Sequence, residues 1–331
     1  MDVAGRKEFW DVLCSLNTYD YESIKKLVAA APVPQELCRF RAVSENTLLQ
    51  LQNNEQFFST ANYYDDPFDS YFSIDFHALQ NNCYGVKHML EQGDVEEIRC
   101  FLTEYDLGED ADAIMHLLKT TSFDMNWLKL SLKDVRDLIQ KQINSICFCE
   151  DAMNETMWLK YADQHKGFVQ VYDCYDPSTI LCGMEPKCAE CGVNRFRPRL
   201  LPVYYGNQMY DATSYALNVL ARELLKEKLS LLPQKIQDAM SCNAAWQTER
   251  IALIKKECHH YDQEWRMILP TPYTNRPRIR MKPKSVLIGL RTPEYQKRLI
   301  ISAAHIAGIR EIYQVFINDR NVLDKKCIAE D

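Results

Sequence analysis

The sequence predicts an α+β protein with a mixed or antiparallel central sheet and helices inserted between its strands. Three observations carry that prediction. Strand-like and helix-like segments alternate without a regular βαβ rhythm, which argues against a doubly wound nucleotide fold. The ten glycines do not cluster, so no Gly-rich phosphate loop is present. The last part of the chain, 264–317, reads strand, strand, helix, strand.

Residues 1–36 read as an N-terminal helical extension. Phe9, Trp10, Val12 and Leu13, then Tyr21, Ile24, Leu27 and Val28, carry the pattern, and Pro32 and Pro34 end it. Residues 37–331 read as a single α+β domain. It begins with a short strand at 37–43, and Ser44 caps a helix carrying Leu48, Leu49 and Leu51. A second short strand at 56–60 runs into the turn-rich Asp65-Asp66-Pro67-Phe68-Asp69. A helical insertion is expected at about 75–142, where Leu132, Val135, Leu138 and Ile139 keep helical spacing.

A strand at 143–149, a helix at 155–163 and a strand at 167–173 follow. In the last, Val169 and Val171 face one way, and Phe168 and Tyr172 the other. A Cys-rich elaboration spans about 174–192. Next come a strand at 200–205 and an amphipathic helix marked by Leu217, Leu220, Ala221, Leu224 and Leu225. A further helix runs through Trp246, Ile251 and Ile254. The tail places strands at 264–269, 285–290 and 311–317, with a helix at 295–307.

Composition narrows the function classes. The chain has 331 residues, 47% hydrophobic and 11% aromatic, enough for a sizeable core. Its formal net charge of -7 gives no global bias toward nucleic acid or membrane. Two local stretches are basic: Arg195-Phe196-Arg197-Pro198-Arg199, and Arg276-Pro277-Arg278-Ile279-Arg280 with Lys282 and Lys284. They either meet phosphates or are solvated loop charge. The first eight residues hold no apolar signal core, and no apolar run is long enough to cross a bilayer, so a cytoplasmic location without a membrane partner is expected. Thirteen cysteines in such a chain are expected to be mostly reduced, packed as small apolar groups.

Several residue groups carry chemistry. Arg39-Phe40-Arg41 puts two guanidinium forks on one face of a strand, suited to phosphate or carboxylate, or simply to an exposed edge. The aspartates around Pro67 form turns, cap a helix or hold a cation. Trp158 and Tyr161, three apart on a helix that exits through His165 and Lys166, share a face. They either stack on a planar ligand or pack the helix on the sheet.

Asp262 and Glu264, two apart, point to one side if their segment is a strand. Two adjacent carboxylates repel, so one titrates high or a cation such as Arg266 compensates. That pattern suits acid–base chemistry or stabilisation of a cation; the plain alternative is a charged ladder on a solvated strand. Cys188-Ala189-Glu190-Cys191-Gly192 has the two-residue gap of a zinc knuckle. Cys182 and Cys174 would complete the ligand set, with Cys258, His259 or His260 as distant alternatives. The alternative is a loop with free thiols.

Taken together, Arg39-Phe40-Arg41, Asp65 to Asp69, Cys147-Phe148-Cys149, Met157 to Phe168 and Tyr261 to Arg266 resemble, in order and spacing, a bacterial family catalogued as domain of unknown function 2971. The resemblance covers about 37–290. Cys149 stands where serine is usual, Asp65 for asparagine and Asp262 for glutamate. The layout also resembles the ADP-ribosyltransferase plan, at the level of fold.

That second resemblance implies an NAD-consuming transferase, acting on a protein or nucleic-acid acceptor or on water, with NAD as substrate. Arg39 or Arg41 would grip the NAD phosphates or ribose, with Arg266 in support. Ser59 would sit near the nicotinamide, and Trp158 or Tyr161 would stack on its ring. Glu264 would stabilise an oxocarbenium-like sugar, and Asp262 would orient or activate the acceptor. A bacterial defence or toxin role would fit. The competing readings are a nucleic-acid-binding or nucleic-acid-processing protein and a non-catalytic nucleotide sensor.

Overall fold

Asp2 and Asp20 accept amide hydrogen bonds from Gly5 and Ser23, and each thereby starts a helix: α1 (Val3–Ser15) and α2 (Tyr21–Ala30). They belong to a computed structural model that describes residues 1–64, 66, 69–92, 95–104, 107–119, 125–176, 178–181, 199–224, 229–269 and 277–328. The two helices are not an appendage. Phe9, Trp10, Leu13 and Leu27 share one core with Val203, Trp246 and Ile268.

Strand β1 (Glu36–Arg41) leads to α3 (Glu45–Gln52), opened by a capping box between Ser44 and Thr47. Three short strands follow: β2 (Glu55–Phe57), β3 (Ser59–Thr60) and β4 (Phe72–Ser73). Four helices then fill the expected insertion: α4 (Phe76–Gln92), α5 (Val95–Glu104), α6 (Ala111–Lys119) and α7 (Met125–Lys141). After them come β5 (Asn144–Cys149), α8 (Glu155–Tyr161) and β6 (Phe168–Asp173).

Next are β7 (Arg199–Pro202), β8 (Tyr204–Gly206) and β9 (Tyr210–Asp211), then α9 (Thr213–Leu224), α10 (Gln234–Ala244) and α11 (Gln247–Ala252). The chain ends with β10 (Ile254–Lys256), β11 (Glu264–Leu269), β12 (Arg278–Arg280), β13 (Ser285–Ile288), α12 (Glu294–Ile306), β14 (Glu311–Ile317) and β15 (Leu323–Cys327).

The fold is α+β, with a mixed central sheet in the order β15-β14-β13-β6-β1-β5-β11-β7 and β3 also paired to β5. Among the described residues its pairings are antiparallel except β13 with β14, between which α12 crosses. Side chains alternate as the strand pattern requires. Val169 and Val171 pack with Phe40 and Trp158, while Tyr172 turns the other way to Phe148 and Trp265. Each such large apolar group contributes roughly 1.5–3 kcal/mol of burial.

Four local expectations change. The strand expected at 200–205 breaks at Val203, where the chain switches partner: β7 pairs with β11, and β8 pairs in parallel with β10. The helix expected through Trp246 and Ile254 divides. Trp246 takes a left-handed φ of 62°, α11 starts after it, and Ile254 opens β10 instead. Arg278 and Arg280 lie on a strand paired with β2 rather than in a loop. A last strand, β15, closes the sheet edge beyond the expected one, and its Lys325 and Lys326 discourage further pairing there.

Beyond α8 the chain makes one left-handed turn without glycine: Asp163, Gln164 and His165 have φ of 46°, 54° and 68°. Such residues cost about 1–2 kcal/mol each. Hydrogen bonds hold them, from Gln164 N to Leu159 O and from Arg291 N to His165 O. A Cβ on Gly167 would sit 2.0 Å from the Arg41 carbonyl oxygen, and one on Gly289 would sit 2.3 Å from that of His165. These two glycines let the turn press against the end of β1 and the segment after β13.

Candidate functional site

Strands β1, β3, β5 and β11 present their side chains to one cleft of about 220 Å³. Pockets that hold a whole drug-sized ligand run to roughly 300–1,000 Å³, so this one suits part of a large ligand. One wall is cationic. Arg39 and Arg41, two residues apart on β1, both line the cleft. Arg39 donates to Gln56 Oε1, and Arg41 Nη2 reaches Gln50 Oε1 at 2.5 Å and the same Gln56 oxygen at 3.5 Å. Gln56 is itself fixed by donating to Tyr172 Oη at 2.8 Å. Two guanidinium groups converging on one neutral oxygen raise the local positive potential, which favours an anion.

The floor is acidic and mostly buried. Glu264, 5% exposed, opens β11 and is held from every side. Its Oε1 accepts from Arg266 Nε at 2.7 Å and its Oε2 from Lys255 Nζ at 2.9 Å. Its backbone N–H donates to Tyr205 Oη at 2.8 Å, and its carbonyl accepts from Arg6 Nη1 at 2.9 Å. Burial alone would raise its pKa, but Arg266 and Lys255 overcome that and hold the carboxyl well below the usual carboxylate range.

Lys255 also donates to Asp262 Oδ2 at 2.9 Å and stands 3.4 Å from Asp69 Oδ2. Arg266, fully buried, donates to Asp69 Oδ2 at 2.7 Å and to the Ala252 carbonyl at 2.6 Å. Three carboxylates thus share two cations. Burial raises the Asp262 carboxyl above its ordinary value, although Lys255 opposes this. Its Oδ1 is buried and makes no hydrogen bond among the described residues. Neighbouring carboxyls with opposite shifts are the usual basis for dividing roles between a charged group and a proton carrier.

The remaining lining is aromatic, hydroxyl and thiol. Ser59 on β3 and Tyr161, the last residue of α8, line the cleft, and burial pushes the Tyr161 phenol up. Cys147 lines it as well; burial, then the negative charge of Glu264, pushes its thiol up to about 12, so it is not a ready nucleophile. His259 Nε2 meets Asp66 Oδ2 at 3.2 Å near the mouth.

The sequence-derived site therefore assembles in large part. Arg39, Arg41, Ser59, Tyr161, Asp262 and Glu264 share the cleft. Two of the expected ligand contacts lie elsewhere. Trp158 is fully buried: it packs edge-on to Phe40 at 5.5 Å, stacks on His165, and donates Nε1 to the Ala152 carbonyl at 2.8 Å. It belongs to the core behind β1. Arg266 lies beneath the floor and acts on Glu264, not on the cleft surface.

Cys174 follows β6, and burial pushes its thiol up to about 11. Cys182, Cys188 and Cys191 lie outside the described residues. Among the described residues no group of three or more His, Cys, Asp or Glu is placed to hold a metal ion. The basic stretch on β12 is partly neutralised, with Arg278 3.4 Å from Glu55, and Lys284 beyond it pairs with Glu36 at 2.7 Å.

Sequence reasoning missed Lys255 and the role of Asp69. Lys255 sits on a three-residue strand, too short to show any periodicity. Asp69 lies in a motif that reads as turn chemistry, and its true partner, Arg266, is distant in the chain. No helix among the described residues is long and apolar enough to cross a membrane. Comparison with protein-family models, with curated proteins and with solved structures finds no match to the chain.

Proposed function

We propose that this chain is an NAD-consuming enzyme with an ADP-ribosyltransferase-like fold, which passes ADP-ribose to a macromolecule or to water. One observation carries the reading. Arg39, Ser59 and Glu264, from three separate strands, line one cleft with a cationic wall and an acidic floor. A dinucleotide has that polarity: an anionic pyrophosphate beside sugar hydroxyls that donate hydrogen bonds. The order of sequence motifs, which resembles the family of domain of unknown function 2971, is the second support.

In this reading the arginine pair takes the pyrophosphate through charge-assisted bonds. Glu264 accepts from the nicotinamide ribose with lone pairs that Lys255 and Arg266 leave unused. The bond from ribose C1′ to the nicotinamide nitrogen breaks, and its electron pair neutralises the pyridinium. The cationic sugar is stabilised by the Glu264 charge, which is already present and needs no reorganisation. The acceptor oxygen or nitrogen then bonds to C1′ and releases its proton to Asp262. Tyr161, and not Trp158, is the aromatic from α8 that faces the ligand.

Incubation with NAD tests this directly. Nicotinamide is released by the native protein and not by Glu264→Gln, with the fold unchanged by circular dichroism. A native protein that neither binds NAD nor releases nicotinamide, with candidate protein and nucleic-acid acceptors supplied, overturns the reading.

A further inference from the structure

Lys255 is 97% buried, lines the cleft, and lies within 3.4 Å of three carboxylates. An ammonium is compact and carries three donors, so one lysine can serve three acids where an arginine fork would serve one. Burial works against its charge, yet Glu264 and Asp69 favour the protonated form, and its contacts cast it as a hydrogen-bond donor. Its β10 strand is only three residues long and is anchored by parallel pairing to β8, where Lys255 stands opposite Tyr205. Tyr205 in turn accepts the Glu264 amide. Side chain and backbone of Glu264 are therefore fixed from the same pair of strands.

We propose that Lys255 is the positioning residue of the acid pair: its single ammonium clamps Glu264 by Oε2 and Asp262 by Oδ2, fixing both rotamers and keeping Asp262 Oδ1 as the acceptor left over for catalysis. This rests on the function proposed above, in which Glu264 faces the ribose and Asp262 the acceptor. Lys255 touches neither reactant; it acts through the carboxylates. The other groups facing Glu264 do not duplicate it. Arg266 holds the opposite oxygen, Arg6 and Tyr205 hold the main chain, Cys147 and Tyr161 are neutral, and Asp69 is a third anion competing for the same cations.

The test compares the native protein with Lys255→Met, Lys255→Arg and the double variant Lys255→Met/Asp262→Asn, which keeps the formal charge of the cluster. With NAD as substrate, Lys255→Met is expected to lower kcat roughly 10²–10³-fold. KM should stay within about threefold, because the pyrophosphate contacts are untouched. The acidic limb of its pH–rate profile should move upward, and Lys255→Arg should restore part of the rate.

Carboxyl carbon resonances of labelled glutamate, with Glu264 assigned by its loss in Glu264→Gln, give a readout independent of turnover. Glu264 should take up its proton at higher pH in Lys255→Met than in the native protein. An unchanged Glu264 titration in that variant overturns the proposal, whatever the rate. If the native protein does not turn over NAD but the Glu264 titration still moves, the clamp stands and only the function falls. If Lys255→Met does not fold, the double variant carries the same titration, and a native-like Glu264 there overturns the clamp.

Discussion

Replacing Arg266 with methionine removes the cation that sits deepest in the cleft floor. Three hydrogen bonds go with it: to Glu264 Oε1 at 2.7 Å, to Asp69 Oδ2 at 2.7 Å and to the Ala252 carbonyl at 2.6 Å. Its guanidinium carbon also lies 5.0 Å from the centre of the Tyr64 ring. Removing one partner from a buried ion pair costs about 3–5 kcal/mol, because the other charge stays behind unpaired. The abandoned carbonyl adds about 1 kcal/mol. Methionine fills most of the space, so cavity terms are small. Unfolding entropy of roughly 2.1 cal/mol/K per residue makes about 0.7 kcal/mol/K for the 331 residues. A loss of about 4–6 kcal/mol then lowers Tm by about 6–9 °C.

The pH dependence carries the sharper sign. The native Glu264 carboxyl is held below its unfolded value of about 4.3, so its pairing stabilises the fold above that pH and is lost only as pH falls through the depressed value. In Arg266→Met the carboxyl takes up a proton at higher pH, which relieves the stranded charge. The deficit in Tm should therefore be full at pH 7 and shrink toward pH 4. Arg266→Lys keeps the charge without the fork and should fall between. Differential scanning calorimetry at the two pH values decides. A variant that melts within about 1 °C of the native protein at pH 7, or a deficit indifferent to pH, refutes the argument that this cation holds the acid in place.

Four other outcomes are expected. If the proposed function holds, Arg39→Gln and Arg41→Gln should each weaken NAD binding by roughly 10–150-fold, the worth of about 1.5–3 kcal/mol for a charged hydrogen bond, with Tm little changed; calorimetric titration at unchanged affinity would remove the phosphate role. Trp158→Phe should cost about 1–3 kcal/mol through the lost indole bond and volume yet leave NAD affinity unchanged, whereas a stacking indole would show the reverse. Gly167→Ala forces a Cβ to 2.0 Å from the Arg41 oxygen and should yield insoluble or strongly destabilised protein, read by soluble yield and melting. Gly85→Ala, on α4 with nothing within 4 Å of its Cβ, should raise stability by about 0.4–1 kcal/mol in urea unfolding.

Much of the fold is legible in the sequence where period and burial agree. Val169 and Val171 against Phe168 and Tyr172 fix the faces of β6, and Leu132 to Ile139 mark α7. The site is legible where its residues sit on strands long enough to show alternation, as Arg39 and Arg41 do on β1 and Glu264 does on β11. Legibility fails in three physical situations. Shared helical spacing puts Trp158 and Tyr161 on one side of α8, but it cannot say that α8 ends at Tyr161 and that the Phe40 ring and His165 enclose the indole. Partners that meet only through tertiary packing, such as Lys255 with Asp69, leave no local trace. The turn at 163–165 is a third case: Asp163 suits a left-handed conformation, Gln164 and His165 do not, and distant bonds from Arg291 and close approach at Gly289 impose it.

The hydrogen bond from Arg6 to the carbonyl of Glu264 joins residues 258 apart in sequence, and the same guanidinium reaches Val203, 197 residues away. Closing loops of that length costs entropy before any contact is gained, and chains dominated by such contacts fold slowly. The back of the acidic floor is thus completed only when the first helix meets a strand made about 250 residues later. During synthesis the cleft stays unfinished until Glu264 has emerged, so whatever the cleft does waits for those two hundred and more residues to be made.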